Sequence, residues 1–326
     1  MKSFIKAISI YVPSVKITNQ DIALKFPEWD SEKIFDKIGI KQRYIAKDDE
    51  FVSDMSVEVI RNLTEEYSID LSIVDYFILC TQSPDYQLPT TACIIQDRVG
   101  LSKNCAAIDI NQGCSGYIYG LSLASSLVSS GNFKNVLLVT ADMYSKTIHP
   151  DDKGNISLFG DAATATLIST EGEYEIGKFT LGSDGSGAEN LIVKNGATKN
   201  KKDDLTQNLD NYLYMNGSAI FDFTAKNVPV LVEKNLNINF LSIEDIDMYV
   251  FHQANTFMLN FLRKRIGIEK EKFLLNMENY GNTVSSSIPL AFKDSYNKNL
   301  DKVMFVGFGV GYSWGAVTIF KINNDD

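Results

Sequence analysis

The chain repeats itself, and that repetition limits the folds open to it. Asp75-Tyr-Phe-Ile-Leu-Cys80 is matched about 170 residues later by Asp247-Met-Tyr-Val-Phe-His252. Ile108-Asp-Ile-Asn-Gln-Gly113-Cys114-Ser115 is matched by Leu275-Asn-Met-Glu-Asn-Tyr-Gly281-Asn282-Thr283, and Lys134-Asn-Val-Leu-Leu-Val-Thr140 by Asp301-Lys-Val-Met-Phe-Val-Gly307. Each half then closes on a Gly-led last strand, Gly160–Leu167 and Gly315–Phe320. Any one match is weak, because apolar strands resemble one another. Four in the same order at a similar offset indicate two related halves, 1–170 and 171–326.

The repeated units are α/β. Apolar runs rich in Val, Ile, Leu and Phe suit strands buried on both faces: Phe4–Val12, Tyr76–Cys80, Ala106–Ile110, Val136–Thr140, Ala163–Ser169, Met248–His252, Val303–Val306 and Ala316–Lys321. Helical patterns lie between them, such as Tyr117–Ser130 before Gly131 and Thr256–Ile266 before Gly267. The polar stretch Lys194–Asn211 reads as a surface insertion.

Composition excludes several function classes. A net charge of −10 disfavours a binder of phosphate backbones. Two histidines and four cysteines, with no Cys-x-x-Cys pair, leave too few ligands for a Cys/His zinc cluster, so no metal is expected. Four cysteines in 326 residues make no disulfide framework. The N-terminus lacks a secretory pattern, and no apolar run is long enough to span a membrane. A cytoplasmic location follows as the expectation.

In an α/β sheet, reactive groups gather where strands end and helices begin. Cys114 follows a strand and a glycine and opens an apolar helix. Asn282 is its counterpart in the second half, and His252 ends a strand. A pseudo-twofold packing would bring the three together. A helix start favours thiolate at Cys114, His252 can support it, and Asn282 supplies a donor that cannot titrate. Cys80, Cys93 and Cys105 read as small apolar residues, and His149 as a loop residue.

At these positions the chain closely resembles the thiolase-fold condensing enzymes, nearest to β-ketoacyl-acyl carrier protein synthase III. The landmarks are Lys37-Ile-Gly39-Ile40 with Arg43, Thr81–Tyr86 with Pro89–Ala92, Gly113-Cys114-Ser115-Gly116, Leu158–Ala162, Met215–Gly217, His252-Gln253-Ala254-Asn255, Tyr280-Gly281-Asn282-Thr283 and Gly307–Gly315. The resemblance implies a five-layer αβαβα fold, a homodimer and a Cys114-His252-Asn282 triad. It implies an oxyanion hole from backbone N–H groups of Cys114 and of the Val310–Gly311 turn. It also implies a decarboxylative condensation: acyl-coenzyme A acylates Cys114, then a malonyl-acyl carrier protein yields a 3-oxoacyl product. No permanently bound cofactor is implied, acyl-CoA being a substrate.

Departures fall on the substrate side. Positions where the family commonly has a Trp and an Arg are Lys33 and Lys37, an expected Arg is Lys153, and a basic residue used toward the carrier protein is Phe257. Leu88 matches a position that caps the partner subunit's acyl pocket. Arg263-Lys-Arg265, Lys37 and Lys153 are candidates for a basic docking patch. A thiolase would need a second catalytic cysteine, and none follows Cys114. A hydroxymethylglutaryl-CoA synthase would need a Glu where Gln82 stands. Transfer of the acyl group to an alcohol or amine, with His252 as general base, remains the alternative.

Overall fold

Nine strands form one sheet whose order is nearly a mirror image of itself. The structure, a computed structural model, describes residues 1–199, 209–295 and 300–322. Its first half contains β1 (Phe4–Tyr11), β2 (Val15–Thr18), α1 (Asn19–Lys25), α2 (Ser31–Ile38), β3 (Gln42–Ile45), α3 (Val52–Tyr67) and β4 (Tyr76–Cys80). There follow α4 (Thr91–Arg98), β5 (Ala106–Ile110), α5 (Gly116–Ser129), β6 (Asn135–Asp142), α6 (Lys153–Leu158) and β7 (Ala162–Ser169). Next come β8 (Tyr174–Ser183), β9 (Leu191–Val193), β10 (Leu213–Met215), α7 (Gly217–Ile238) and β11 (Met248–Phe251). The chain ends with α8 (Thr256–Ile266), α9 (Ser287–Asp294), β12 (Lys302–Gly309) and β13 (Ser313–Lys321).

The order is β5-β4-β6-β7-β1-β8-β13-β12-β11. β4 runs parallel to β5 and β6, as β11 does to β12, and the remaining pairs are antiparallel. Within the sheet the halves join at the β1–β8 seam, where Phe4 pairs with Glu175 and Ile5 with Tyr174.

So narrow a seam lets the half-sheets face each other across helices. α5 touches strands of both halves, and so does α9. Both are apolar on nearly every side, as a helix buried between two sheets must be. α3 and α4 cover the outer face of the first half-sheet, and α7, with α8 packed against it, that of the second. Three apolar cores fill the gaps between the five resulting layers. The middle one takes Ile78 and Leu138 from one half-sheet, Val250 and Phe305 from the other, and Tyr117 and Ile288 from the helices between them. This is the expected αβαβα arrangement.

Besides the short pairs β2–β3 and β9–β10, which the sequence reading did not expect, two features of the large sheet depart from it. β8 was not among the expected strands, yet it pairs with β13 along nearly its full length. It alternates buried and open positions and carries Glu175 and Lys178, unlike a strand covered on both faces. In the second half, the stretch matching β5 is no strand. It shrinks to a bridge between Tyr249 and Phe273, followed by a single turn at Met277–Asn279. Of the polar insertion, residues 200–208 lie outside the described residues. Its described ends meet where the Asn195 N–H donates to the Asp210 carbonyl at 2.9 Å.

Candidate active site

The two halves meet at the turns that follow their repeated strands. Cys114 sits directly before α5, and its turn closes through the Gly116 N–H on the Gly113 carbonyl at 2.7 Å. A Cβ placed on Gly116 would lie 3.2 Å from that of Ser285, three residues past Asn282. The Cys114 and Asn282 turns are therefore neighbours. β12 links them to His252. The Phe308 ring meets the His252 imidazole edge to face at 5.6 Å, and the next residue, Gly309, lies against the Cys114 side chain. A Cβ on Gly309 would stand 2.7 Å from the Cys114 Cβ and 3.0 Å from Sγ, so only glycine leaves the thiol its place.

All three side chains are buried. Asn282 is held by its main chain: its N–H donates to the Leu158 carbonyl at 2.9 Å and its carbonyl accepts from the Gly160 N–H at 3.0 Å. Its side-chain Oδ1 accepts from the Val284 N–H at 3.0 Å. The amide oxygen is thus engaged and its NH2 group is the end left to donate. His252 Nδ1 shares a hydrogen bond with Ser287 Oγ at 2.7 Å.

Electrostatics correct one expectation. Burial pushes the Cys114 thiol up to about 12, and the Asp142 carboxylate pushes the same way. Hydrogen bonds from the backbone N–H groups of Cys114 and Val310 pull it down, but by less. The helix start therefore does not leave a resting thiolate. Ser115, not Cys114, is the N-cap of α5. Burial takes His252 down to about 3 against a weaker backbone hydrogen bond with Val284, so its ring is neutral.

Asp142, at the end of β6, was not a sequence-level candidate. It is fully buried and spans the halves. It accepts from the Gln82 N–H at 2.7 Å, the Ser285 N–H at 3.2 Å and the Ser285 hydroxyl at 2.5 Å. Burial lifts it to about 7 despite these donors. Gln82 Oε1 in turn accepts from the buried Tyr144 hydroxyl at 2.5 Å.

A groove of about 450 Å³ lies over α2 and α6, lined in part by Trp29, Lys37, Asn155, Tyr214 and Asn255. Lys37 is part of this lining, and Lys153 stands beside the groove. Lys33 is not part of its lining. Trp29, four residues earlier, is, with the Lys153 ammonium 5.5 Å from its ring and bound to Glu28 at 2.6 Å. An aromatic side chain thus returns from a position that motif spacing does not flag.

The other candidates are spread over the surface. Phe257 is 64% exposed and packs beside Phe221, and Leu88 is 80% exposed on the loop after β4. Arg263 closes its own helix by donating to the Ile268 carbonyl at 2.9 Å, leaving Lys264 and Arg265 exposed. Val310 and Gly311 occupy the turn between β12 and β13. His149 packs edge-on against Tyr212. Cys80 and Cys105 are buried and Cys93 is exposed. Among the described residues, no group of three or more His, Cys, Asp and Glu side chains could hold a metal ion, and no helix is long and apolar enough to cross a membrane.

Known proteins resemble the chain along its length. Residues 108–185 match the family model described as 3-oxoacyl-[acyl-carrier-protein (ACP)] synthase III, and residues 236–320 match that of its C-terminal part. A Clostridium perfringens protein named beta-ketoacyl-[acyl-carrier-protein] synthase III is 39% identical over 315 residues, covering 95% of this chain and 96% of its own. A Clostridium acetobutylicum protein of the same name is 36% identical over 313 residues, covering 95% of each. A 2.1 Å crystal structure titled 3-oxoacyl-(acyl-carrier-protein) synthase III superposes with a TM-score of 0.94 at 42% identity, covering 99% of this chain and 100% of that one.

Proposed function

Because the chain belongs to the β-ketoacyl-acyl carrier protein synthase III family and is a condensing acyltransferase, we propose that Cys114, His252 and Asn282 carry its two half-reactions. In the first, the Cys114 sulfur attacks the carbonyl carbon of an acyl thioester. The tetrahedral oxyanion is held by the backbone N–H groups of Cys114 and of the Val310–Gly311 turn. The thiolate of coenzyme A leaves and takes up the proton that Cys114 gives up.

In the second, a malonyl thioester on the carrier protein binds with its carbonyl oxygen against His252 and Asn282. The bond to its carboxylate breaks, CO2 leaves, and the electron pair becomes an enolate. That enolate attacks the acyl-enzyme and releases the Cys114 thiolate, which is reprotonated. A neutral histidine and an amide suit this step, since both donate without first titrating.

The single observation that carries the reading is the meeting of the Cys114 and Asn282 turns with Phe308–Gly309 of β12, which bridges Cys114 and His252. The groove with Trp29, Lys37 and Lys153 is the entry we assign to the coenzyme A donor. Phe257 lies on the carrier-protein side and Leu88 against a partner subunit. Exposed Tyr86 and Leu88, with the half-buried edge strand β5, support a homodimer. A cytoplasmic location, no permanent cofactor, and halves dividing near residue 170 complete the reading.

Intact-mass labelling with a panel of acyl-CoA thioesters tests it. The wild type should gain one acyl group and Cys114→Ala none. With malonyl-carrier protein added, the acylated wild type should release CO2. Acylation that persists in Cys114→Ala would overturn the assignment. Transfer to a sugar without CO2 release would favour the alternative acceptor.

A further inference from the structure

Ser287 is the first residue of α9 and is buried. Its hydroxyl oxygen has two hydrogen-bond partners, His252 Nδ1 at 2.7 Å and the backbone N–H of Gln253 at 3.4 Å. The Gln253 N–H can only donate, so it occupies a lone pair of the hydroxyl. That backbone is fixed, because the Gln253 side chain donates to the Phe251 carbonyl at 2.7 Å and accepts from the Asn276 N–H at 2.8 Å.

The hydroxyl hydrogen then needs an acceptor. Of the two partners only Nδ1 can be one. The reverse arrangement, Nδ1–H donating to Ser287, would strand a buried O–H, at the cost of an unmade hydrogen bond. That cost decides the tautomer of a neutral ring.

We propose that Ser287 is a positioning residue that holds His252 in the tautomer protonated at Nε2, making the ring a fixed donor to a thioester carbonyl. This deepens the reading of the site given above and rests on it. It also separates the two chemistries that share the triad. A ring with its proton on Nε2 and its Nδ1 filled by Ser287 can stabilise an enolate. It has no free lone pair with which to deprotonate an alcohol or amine acceptor.

The chain has only two histidines, so nitrogen-15 labelling of the imidazoles gives two ring systems, and His149→Gln assigns them. The wild-type spectrum should show His252 with a protonated Nε2 and an acceptor-type Nδ1. Ser287→Ala should mix the tautomers and lower kcat for CO2 release from malonyl-carrier protein by about tenfold, the size of one lost buried hydrogen bond. Its KM and the rate of Cys114 acylation should stay within about twofold of wild type. Ser287→Thr, which keeps the hydroxyl, should restore both tautomer and rate, and it decides the matter should the alanine variant fail to fold.

A wild-type ring protonated at Nδ1 would overturn the proposal. So would a Ser287→Ala enzyme that loses acylation and CO2 release in parallel, as a merely structural residue would. A wild type that never acylates at Cys114 would instead defeat the underlying assignment and leave the tautomer spectrum to stand by itself.

Discussion

Asn282 and Phe159 pair as a lone parallel bridge between the two halves of the molecule. The bridge sets the height of the Asn282 side chain relative to the Cys114 turn through main-chain bonds alone. Replacing Asn282 by Ala should therefore keep the fold, since the bonds to Leu158 and Gly160 need no side chain. Gly160→Ala should not be tolerated. A Cβ there would fall on the Tyr280 carbonyl oxygen, and backbone cannot swing aside as a side chain can. We expect a loss of about 1–3 kcal/mol and CO2 release lowered well beyond acylation. Thermal melting with the two half-reaction assays checks this; a Gly160→Ala enzyme with wild-type CO2 release would contradict it.

Gly309 makes the companion prediction at the thiol. Its missing side chain leaves room for the Cys114 Cβ and Sγ. Gly309→Ala should displace the sulfur from the N–H groups of Cys114 and Val310 and reduce acylation by about a hundredfold, the scale of a lost oxyanion donor. Intact-mass time courses with an acyl-CoA are the measurement. Acylation at the wild-type rate would mean that Sγ does not need that position.

These two glycines mark how far the sequence could be read. The repeats placed Cys114, His252 and Asn282 at matching strand ends, and the fold brings their turns together. The close approaches at Gly160 and Gly309 depend on which backbone passes nearby, and one chain's residue types do not carry that. β8 escaped because its polar alternation masks its place at the seam. Asp142 escaped because its partners Gln82 and Ser285 lie far away in sequence and meet only when the halves pack. Trp29 escaped because motif spacing pointed to Lys33. The thiolate expectation failed for a related reason: a helix start is local, whereas burial of Sγ and the nearness of Asp142 are tertiary.

The state of the thiol has a direct consequence. With burial holding Cys114 up to about 12, the fraction ionised grows with pH across the neutral range, by less than tenfold per unit near pH 7, where Asp142 gains the charge that opposes the thiolate. Alkylation of Cys114 by iodoacetamide should keep rising from pH 6 to pH 9 without a plateau. His252, held down to about 3, should add no step between pH 5 and pH 8. Rates followed by mass spectrometry, with Cys93 replaced by Ser to remove the exposed thiol, would reveal a plateau near neutrality if the sulfur rested as thiolate.

Trp29 should matter to the donor and not to the chemistry. Its ring lines the groove and carries the Lys153 ammonium over one face. Trp29→Ala should raise KM for acyl-CoA by about tenfold, the scale of a lost aromatic contact of 1–2 kcal/mol. The kcat of the first half-reaction should hold. A Trp29→Ala enzyme with an unchanged KM would remove the groove from the donor path.

Asp142 ties stability to pH with a sign that its burial dictates. Its carboxyl titrates near 7 in the folded chain and near 3.8 in the unfolded one. Between those values the folded state keeps a proton that the unfolded state has released, so stability falls as pH rises through the window. The slope is on the order of 1 kcal/mol per pH unit. Asp161, also buried and lifted to about 6, adds a slope of the same sign over the lower part of the window. Asp142→Asn removes only the Asp142 share. The amide still accepts from one side but cannot serve both the Gln82 N–H and the two Ser285 donors, so the variant should be less stable than wild type at pH 5. That deficit should shrink steadily toward pH 7 and stay level above it. Urea midpoints measured from pH 4.5 to pH 8 read the trend, and a deficit that widened with pH would mean that the carboxylate is stabilised, not penalised, between the two halves.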